Sequence, residues 1–454
     1  MLYRKAKNTI NKWISNGNEA LLVTGARQVG KTYIIRECLK ESSYDYIEIN
    51  LIKEPKYLEY LNSLIKNGVE NFIESLSVIA NRPLKKNNTI IFIDEVQECK
   101  EVLTIIKFLV EDKGYKYILS GSLLGVELVD LRSAPVGYLQ TLEMFPMDLE
   151  EFLIANGLNE KFINQLKDNF DNKTPVLEAL HNKVLDAFYK YLIIGGMPKA
   201  VDTYLKTSDY MEVAIIHNEI IKEYLVDFSK YEKNKSLKLK LISTYNLIPA
   251  EINSHNKRYI FSHLDKNLKM ERYENSFNWL IDAGVALPVY NTTEPVIPLE
   301  INKKSNIFKL FLSDVGLLTT LYGTATVLKL LSKEKDINYG AVFENFVAEE
   351  LRAHGYKEYF YNSKKYGELD FVIEHMGEVL PIEVKSGKDY KVHSALNNIV
   401  SLETYKINNA IVLSNYNVSV KDNITYYPIY MTMFINERNI VVPKMDKIDF
   451  SELD

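Results

Sequence analysis

At 454 residues, with 46% hydrophobic and 25% charged positions, the chain has an ordinary globular composition and is too long for one core, so about three domains are expected. A net charge of −5 excludes a uniformly basic protein but leaves room for local basic surfaces. Two cysteines exclude a disulfide framework or a cysteine-rich metal site, the seven histidines show no metal-ligand spacing, and no apolar run approaches the roughly 20 residues that span a bilayer; a cytoplasmic setting away from membranes is expected.

In chain order, Met1 to Lys5 leads into an amphipathic stretch with Trp13 rather than an apolar signal region. Ala20 to Thr24 is short, apolar and partly β-branched, as a buried parallel strand should be. Gly25, Ala26, Arg27, Gln28, Val29, Gly30, Lys31 and Thr32 then satisfy the P-loop pattern G-x-x-x-x-G-K-[ST] at every fixed place, and Tyr33 to Arg36 continues as a helix. Gly25 and Gly30 let the backbone turn and aim N–H groups at phosphates with no Cβ in the way. Lys31 is expected to reach the β- and γ-phosphates, Thr32 to bind Mg2+, and the helix N-terminus to add partial positive charge. Binding of a nucleoside triphosphate follows.

Asn88 to Glu95 reads as a polar turn, an apolar strand and two carboxylates, the form of a Walker B strand. Asp94 would hold magnesium through water, and Glu95 would orient and polarise the attacking water. A third strand, Tyr115 to Leu119, runs into Ser120-Gly121-Ser122, where either serine is placed to sense the γ-phosphate; a plain turn is the other reading. From Leu21 to about Leu153 strands alternate with helical stretches, so a parallel sheet with helices on both faces is expected.

Between about Ala155 and Tyr231 the pattern turns helical, interrupted by the glycine pair and proline of Tyr191 to Pro198, as in a helical lid or linker. Leu237 to Asn246, Pro249 to Phe261 and Lys269 to Ala283 read as three short helices ahead of a strand from Val285 to Tyr290. That order suits a winged helix or a plain helical bundle with a hairpin. Lys257, Arg258, Lys266, Lys269 and Arg272 are either a basic face towards a nucleic-acid backbone or a solvated charged surface.

From about Ile307 the style changes again. Phe343, Phe346, Val347 and Leu351 recur at helical spacing, so one face of Gly340 to Leu351 is core, with Glu344 at its edge. Three short β-type segments follow, Glu358 to Tyr361, Glu368 to Ile373 and Glu378 to Val384, then a helix from Ser394 to Tyr405 and a buried strand from Ala410 to Ser414. The period of two puts Glu383 and Lys385 on one strand face, where Asp370 from the preceding strand can converge with them. Such a set can hold a divalent cation through Asp370, Glu383 and the Val384 carbonyl, with Lys385 steadying an attacking water or a phosphate oxygen. An ordinary surface E-x-K pair is the alternative.

GARQVGKT, IIFIDEVQ, LSGSLLGV and MFPMDLEEF together resemble the AAA+ superfamily ATPases of bacteria and archaea that carry a domain of unknown function behind the ATPase. YLIIGGMPKA, FKLFLSDVGLL, VFENFVAEEL and GELDFVIEHMGEVLPIEVKSG look like that C-terminal region, which is similar to PD-(D/E)XK nucleases. The resemblance implies ATP as the nucleotide, with Lys31, Thr32, Asp94 and Glu95 in the ATPase site and Glu344, Asp370, Glu383 and Lys385 in a nuclease-like site. It also implies that Arg132 is a candidate finger acting on a neighbour's nucleotide in a homo-oligomer.

The expected class is therefore α/β: a P-loop parallel sheet with flanking helices over 1–154, a helical, winged-helix-like region over 155–306, and a PD-(D/E)XK-like α/β domain over 307–454. Three functions fit. One is an ATPase that delivers a metal-dependent nuclease to DNA or RNA, the second an ATP-gated nucleic-acid binder that does not cut, and the third an ATP-dependent scaffold or switch that binds another protein.

Overall fold

The computed structural model describes residues 2–54, 57–58, 61, 69–122, 137–231, 235–254, 259, 274–333 and 339–439. Arg132, the basic set Lys257, Arg258, Lys266, Lys269 and Arg272, and parts of the second and third helices of the expected winged helix lie outside these residues.

The first unit runs α1 (Ala6–Asn16), β1 (Ala20–Thr24), α2 (Lys31–Glu41), β2 (Asp45–Asn50), α3 (Val69–Ile79), β3 (Thr89–Asp94), α4 (Lys100–Glu111), β4 (Lys116–Ser120) and β5 (Leu139–Glu143). Helices α5 (Leu149–Ala155), α6 (Glu160–Asp171), α7 (Glu178–Ile194), α8 (Pro198–Thr207), α9 (Tyr210–Tyr231), α10 (Lys235–Ile252) and α11 (Glu274–Asp282) follow. The chain continues through β6 (Ala286–Thr292), β7 (Lys303–Leu312), α12 (Val315–Tyr322), α13 (Thr324–Ser332), α14 (Gly340–Ala353), β8 (Tyr359–Ser363), β9 (Gly367–His375), β10 (Glu378–Val384), α15 (Ser394–Val400), β11 (Ala410–Ser414), β12 (Ser419–Lys421) and β13 (Ile424–Pro428). No single helix among the described residues is long and apolar enough to cross a membrane.

Strands β2, β3, β4, β1 and β5 lie side by side in that order, each neighbouring pair parallel. Strands β1, β3 and β4 are near-continuous apolar runs because both of their faces are covered. Their alternate side chains separate accordingly: Leu21, Val23, Ile90, Phe92 and Ile118 enter one core, and Leu22, Ile91, Ile93, Tyr117 and Leu119 the other. Pairing brings Asn50 opposite Asp94, and Asp94 opposite Ser120, in one row at the carboxyl ends of the strands.

The second sheet is mixed, in the order β12-β13-β11-β10-β9-β8-β6-β7. The strand expected from Val285 to Tyr290 is present as β6, but it sits between β7 and β8 inside this sheet. The expected boundary at 306/307 thus falls within β7. The first expected helix and the start of the second run as one helix, α10, which passes through Pro249. Farther on, the expected order of helix, three strands, helix and strand is present as α14, β8, β9, β10, α15 and β11.

The three segments share one apolar core. Trp13, Val23 and Ile34 of the first unit, Phe188 and Leu192 of α7, and Phe308, Phe346, Ile373 and Ile382 of the last belong to a single buried cluster. Phe188 stands edge-on to Phe343 and Phe346, with ring centroids 5.4 and 4.8 Å apart. Helix α14 is therefore buried all round rather than on one face, and its polar residues are ties. The Asn345 side chain accepts from Leu312 N (2.8 Å) and donates to Leu312 O (3.0 Å), Glu349 accepts from Val315 N (2.7 Å), and Glu350 accepts from Leu149 N (2.6 Å).

The glycine pair that interrupts the expected helical lid or linker is a tight junction. A Cβ on Gly196 would lie 2.0 Å from the Met147 carbonyl, and Met147 N donates to Gly196 O at 2.7 Å. Gly196 N in turn donates to Asp314, the N-cap of α12. Only glycine lets the Gly196 and Met147 backbones approach so closely.

Candidate nucleotide site and C-terminal acidic site

The P-loop leaves β1 at Gly25 and enters α2 at Lys31. Gly25 has φ +128°, and a Cβ there would meet the Met144 carbonyl at 2.1 Å, so its glycine is demanded by the chain after β5 as well as by the loop's own turn. Gly30 is left-handed at φ +92°, and Gln28 also has positive φ. Ala26 and Val29 are buried in the core. The Lys31 Nζ donates to Gly25 O (2.9 Å) and Ala26 O (2.7 Å). Burial pulls the Lys31 ammonium down to about 8, against the opposing pull of Glu95 and Asp94.

Asp94, buried at the end of β3, accepts from the Thr32 hydroxyl (3.0 Å), from Asn50 Nδ2 (2.8 Å) and from the Ser120 hydroxyl. The row set by strand pairing thus converges on one carboxylate. The three hydrogen-bond donors are neutral, so they orient its charge without forming an ion pair. Thr32 and Asp94 present hard oxygen atoms side by side, a donor set that fits magnesium. Glu95 has positive φ, and its Oε2 accepts from Gln97 Nε2 at 2.6 Å. Ser122 does not reach Asp94; its hydroxyl accepts from Arg27 Nε at 3.3 Å.

The loop is gripped from outside the first unit. On α9, Asp227 pairs with the Arg27 guanidinium (2.5 Å), Glu223 accepts from Gln28 Nε2 (2.6 Å), and the Tyr224 hydroxyl donates to Arg27 O (3.2 Å). From the other side Arg4 donates to Val29 O (2.8 Å) and Phe145 O (2.7 Å) and pairs with Glu151 (3.1 Å). Lys5 adds ion pairs to Asp148 (2.6 Å) and Glu150 (2.5 Å).

Sequence reasoning missed Asn50, Arg4, Glu223 and Asp227. A polar end to the alternating strand Asp45–Asn50 was the one visible signal, for Asn50. A basic pair ahead of an amphipathic helix says nothing of its distant partners.

At the second sheet Asp370, Glu383 and Lys385 come together, and Glu344 of α14 is near enough for its charge to act on Glu383. Glu383 pairs with Lys385 at 2.8 Å, and the carboxyl of Glu383 is raised first by burial, then by Asp370, with a smaller push from Glu344. Asp370 accepts from Val384 N at 2.9 Å. The Glu383 Oε2 atom is buried with no hydrogen-bond partner.

Glu344, expected at the edge of the core face, is fully buried, 3.7 Å from Lys309 Nζ, which also meets Glu368 at 2.9 Å. Among the described residues no three His, Cys, Asp or Glu side chains form a group able to hold a metal ion. Lys309 was missed as well; its signal is a lone lysine in the apolar run Ile307 to Leu312, a charge that burial obliges to find an acid.

Residues 17–153 match the AAA domain family. The match covers the N-terminal parallel sheet and the helices around it. Residues 185–328 match one domain of unknown function, DUF8612, and residues 339–432 another, DUF4143.

Solved structures similar to the chain include a Walker-type ATPase of Pyrococcus abyssi, at 15% identity and TM-score 0.42 over 71% of this chain and 96% of that one. Another is the ORC1 protein of Aeropyrum pernix in complex with DNA, at 12% identity and TM-score 0.30 over 73% and 95%. A third is Cdc6p from Pyrobaculum aerophilum, at 11% identity and TM-score 0.25 over 72% and 92%. No curated protein matches the sequence.

Proposed function

We propose that the AAA domain is a magnesium-dependent ATPase whose nucleotide state is passed to the C-terminal acidic site, and that this site acts on nucleic acid. The observation that carries the ATPase reading is the convergence of Thr32, Asn50 and Ser120 on Asp94, beside a P-loop lysine and Glu95. Lys31 would bind the β- and γ-phosphates, and Thr32 and Asp94 would hold a magnesium ion, whose charge would offset that of the phosphates during γ-phosphoryl transfer. Glu95, with one oxygen fixed by Gln97, orients the attacking water through the other.

Coupling is supported by the grips on the loop. Asp227 and Glu223 on α9, and Arg4 with its Glu151 and Phe145 partners, must all adjust if Arg27, Gln28 or Val29 moves. The segment after β5 carries that adjustment to α14 through the Leu149–Glu350 bond. Arg132 acts in trans in this proposal if the chain assembles with itself.

For the acidic site, Asp370, Glu383 and Lys385 are the cleaving set. A second reading, a nucleic-acid binder that does not cut, is favoured by one observation: Glu344 already has an internal cation in Lys309. Filter binding and cleavage of labelled DNA and RNA with magnesium or manganese, with and without ATP, separates the readings. Metal-dependent cleavage that Glu383→Gln removes supports the nuclease. Retention without cleavage supports the second reading, and no retention of either nucleic acid overturns both.

A further inference from the structure

A cavity of about 330 Å³ opens beside Lys385, outside the carboxyl ends of the parallel strands β10 and β11. Ligands of open α/β sheets bind in this position, because the loops leaving parallel strands diverge there. One wall is α7, through Asp186 and Tyr189; the other is the pair of loops that leave the two strands, Ser386 to Lys388 and Asn415 to Tyr416. The loops are held in step by the Lys385 N–H, which donates to Leu413 O at 2.8 Å, and Asn415 crosses the floor to donate to the Tyr189 hydroxyl at 2.9 Å.

Two features give the cavity a chemistry. Tyr416 is 40% exposed and its ring stacks on Tyr390, with centroids 4.1 Å apart and planes 19° from parallel. Tyr390 stands edge-on to Tyr426, whose hydroxyl is bonded to His393 at 2.7 Å, so the stack is anchored from below and open above. Lys388 and Lys391 are exposed beside it, a Cβ at Gly387 would meet nothing within 4 Å, and Lys333 neutralises Asp186 on the opposite wall. An open aromatic face next to lysines and an accessible glycine suits a flat heterocycle carrying a phosphate.

We propose that this cavity binds a single-stranded polynucleotide, one base stacking on Tyr416 while the backbone passes Lys388 towards Glu383 and Lys385. Interior duplex bases have both faces occupied by their neighbours, so an unpaired strand can add a layer to the Tyr390–Tyr416 stack at any base and a duplex only at its ends. The proposal rests on the nucleic-acid reading above and names the form of substrate that the acidic site receives.

The test is fluorescence anisotropy of the full chain, without divalent metal, with labelled oligothymidylate, labelled oligouridylate, and the oligothymidylate annealed to oligoadenylate. Tighter binding of a single strand than of the duplex is expected, with the two single strands deciding between DNA and RNA. Tyr416→Ala should weaken single-strand binding about tenfold and leave the duplex value unchanged, whereas Tyr416→Phe, which keeps the ring, should restore it. Lys388→Glu should weaken binding and flatten its salt dependence. A Tyr416→Ala protein of unchanged melting temperature that binds single strands as wild type does, or a wild type that prefers duplex, overturns the assignment of this cavity. Binding of none of the probes removes the nucleic-acid reading itself, and this inference with it.

Discussion

Asp94 and Glu383 stand at or next to the carboxyl ends of parallel strands, each with a lysine nearby, yet their surroundings treat charge in opposite ways. Around Asp94 the partners are two hydroxyls and an amide, and Lys31 is turned onto the carbonyls of its own loop. Around Glu383 the positive charge is built in: Lys385 on Glu383 itself, Lys309 on Glu344, and a backbone N–H on Asp370. A carboxylate held only by neutral donors stays ready for a cation brought by a ligand. One already paired with a lysine, as Glu383 is with Lys385, must give up that pair first. The first site is arranged for a charged visitor, whereas the second carries part of its counter-charge already while one oxygen of Glu383 stays buried without a hydrogen bond.

The largest effects should fall on the first site. Lys31→Ala is expected to abolish ATP binding, because the charge facing the phosphates is lost. Glu95→Gln should keep binding and lower turnover by roughly 100–1,000-fold. Nucleotide affinity and phosphate release measure both; full hydrolysis by either variant would remove the proposed catalytic set.

Stability should reverse the ranking of the two sites. Lys309→Met strands the buried Glu344 carboxylate without its cation and should cost about 3–5 kcal/mol. Asp94→Asn leaves hydroxyl and amide partners that can reorient, so its cost should be below about 1.5 kcal/mol. Thermal melts of the two variants side by side decide the matter, and equal losses would erase the contrast drawn between the sites.

A smaller effect concerns pH. Lys31 sits near 8 in the free protein, and polyphosphate binding must raise it, so ATP binding takes up a proton wherever Lys31 is already neutral. Affinity should be steady below about pH 8 and fall by up to about tenfold per unit above it. Calorimetric titrations at about pH 7 and about pH 9, in buffers of different ionisation enthalpy, report both the affinity and the proton. Equal affinities at the two values would mean that Lys31 stays charged throughout.

The sequence by itself determined the P-loop and its setting, since it is eight contiguous residues whose backbone conformation is set by their own glycines and by the strand and helix on either side, but not the Asn50, Arg4, Glu223 and Asp227 side chains around it. It also reached Asp94 and Glu95, because an apolar strand ending in two acids needs no distant partner to be recognised. In the last segment the strand period placed Glu383 and Lys385 together, as their 2.8 Å pair bears out.

Tertiary structure alone decided the rest. Periodicity says that a residue is buried but not against what, so α14 read as a one-faced helix and proved to be enclosed. Asn50, 44 residues from Asp94, reaches it only through strand pairing, and Asp227, 200 residues from Arg27, only through the packing of α9. Strand β6 looked like part of a separate middle domain because its partner β8 lies well beyond β7 in the chain. The shared core of the three segments was hidden for the same reason: apolar stripes are local, whereas the choice of which stripes meet belongs to the whole chain.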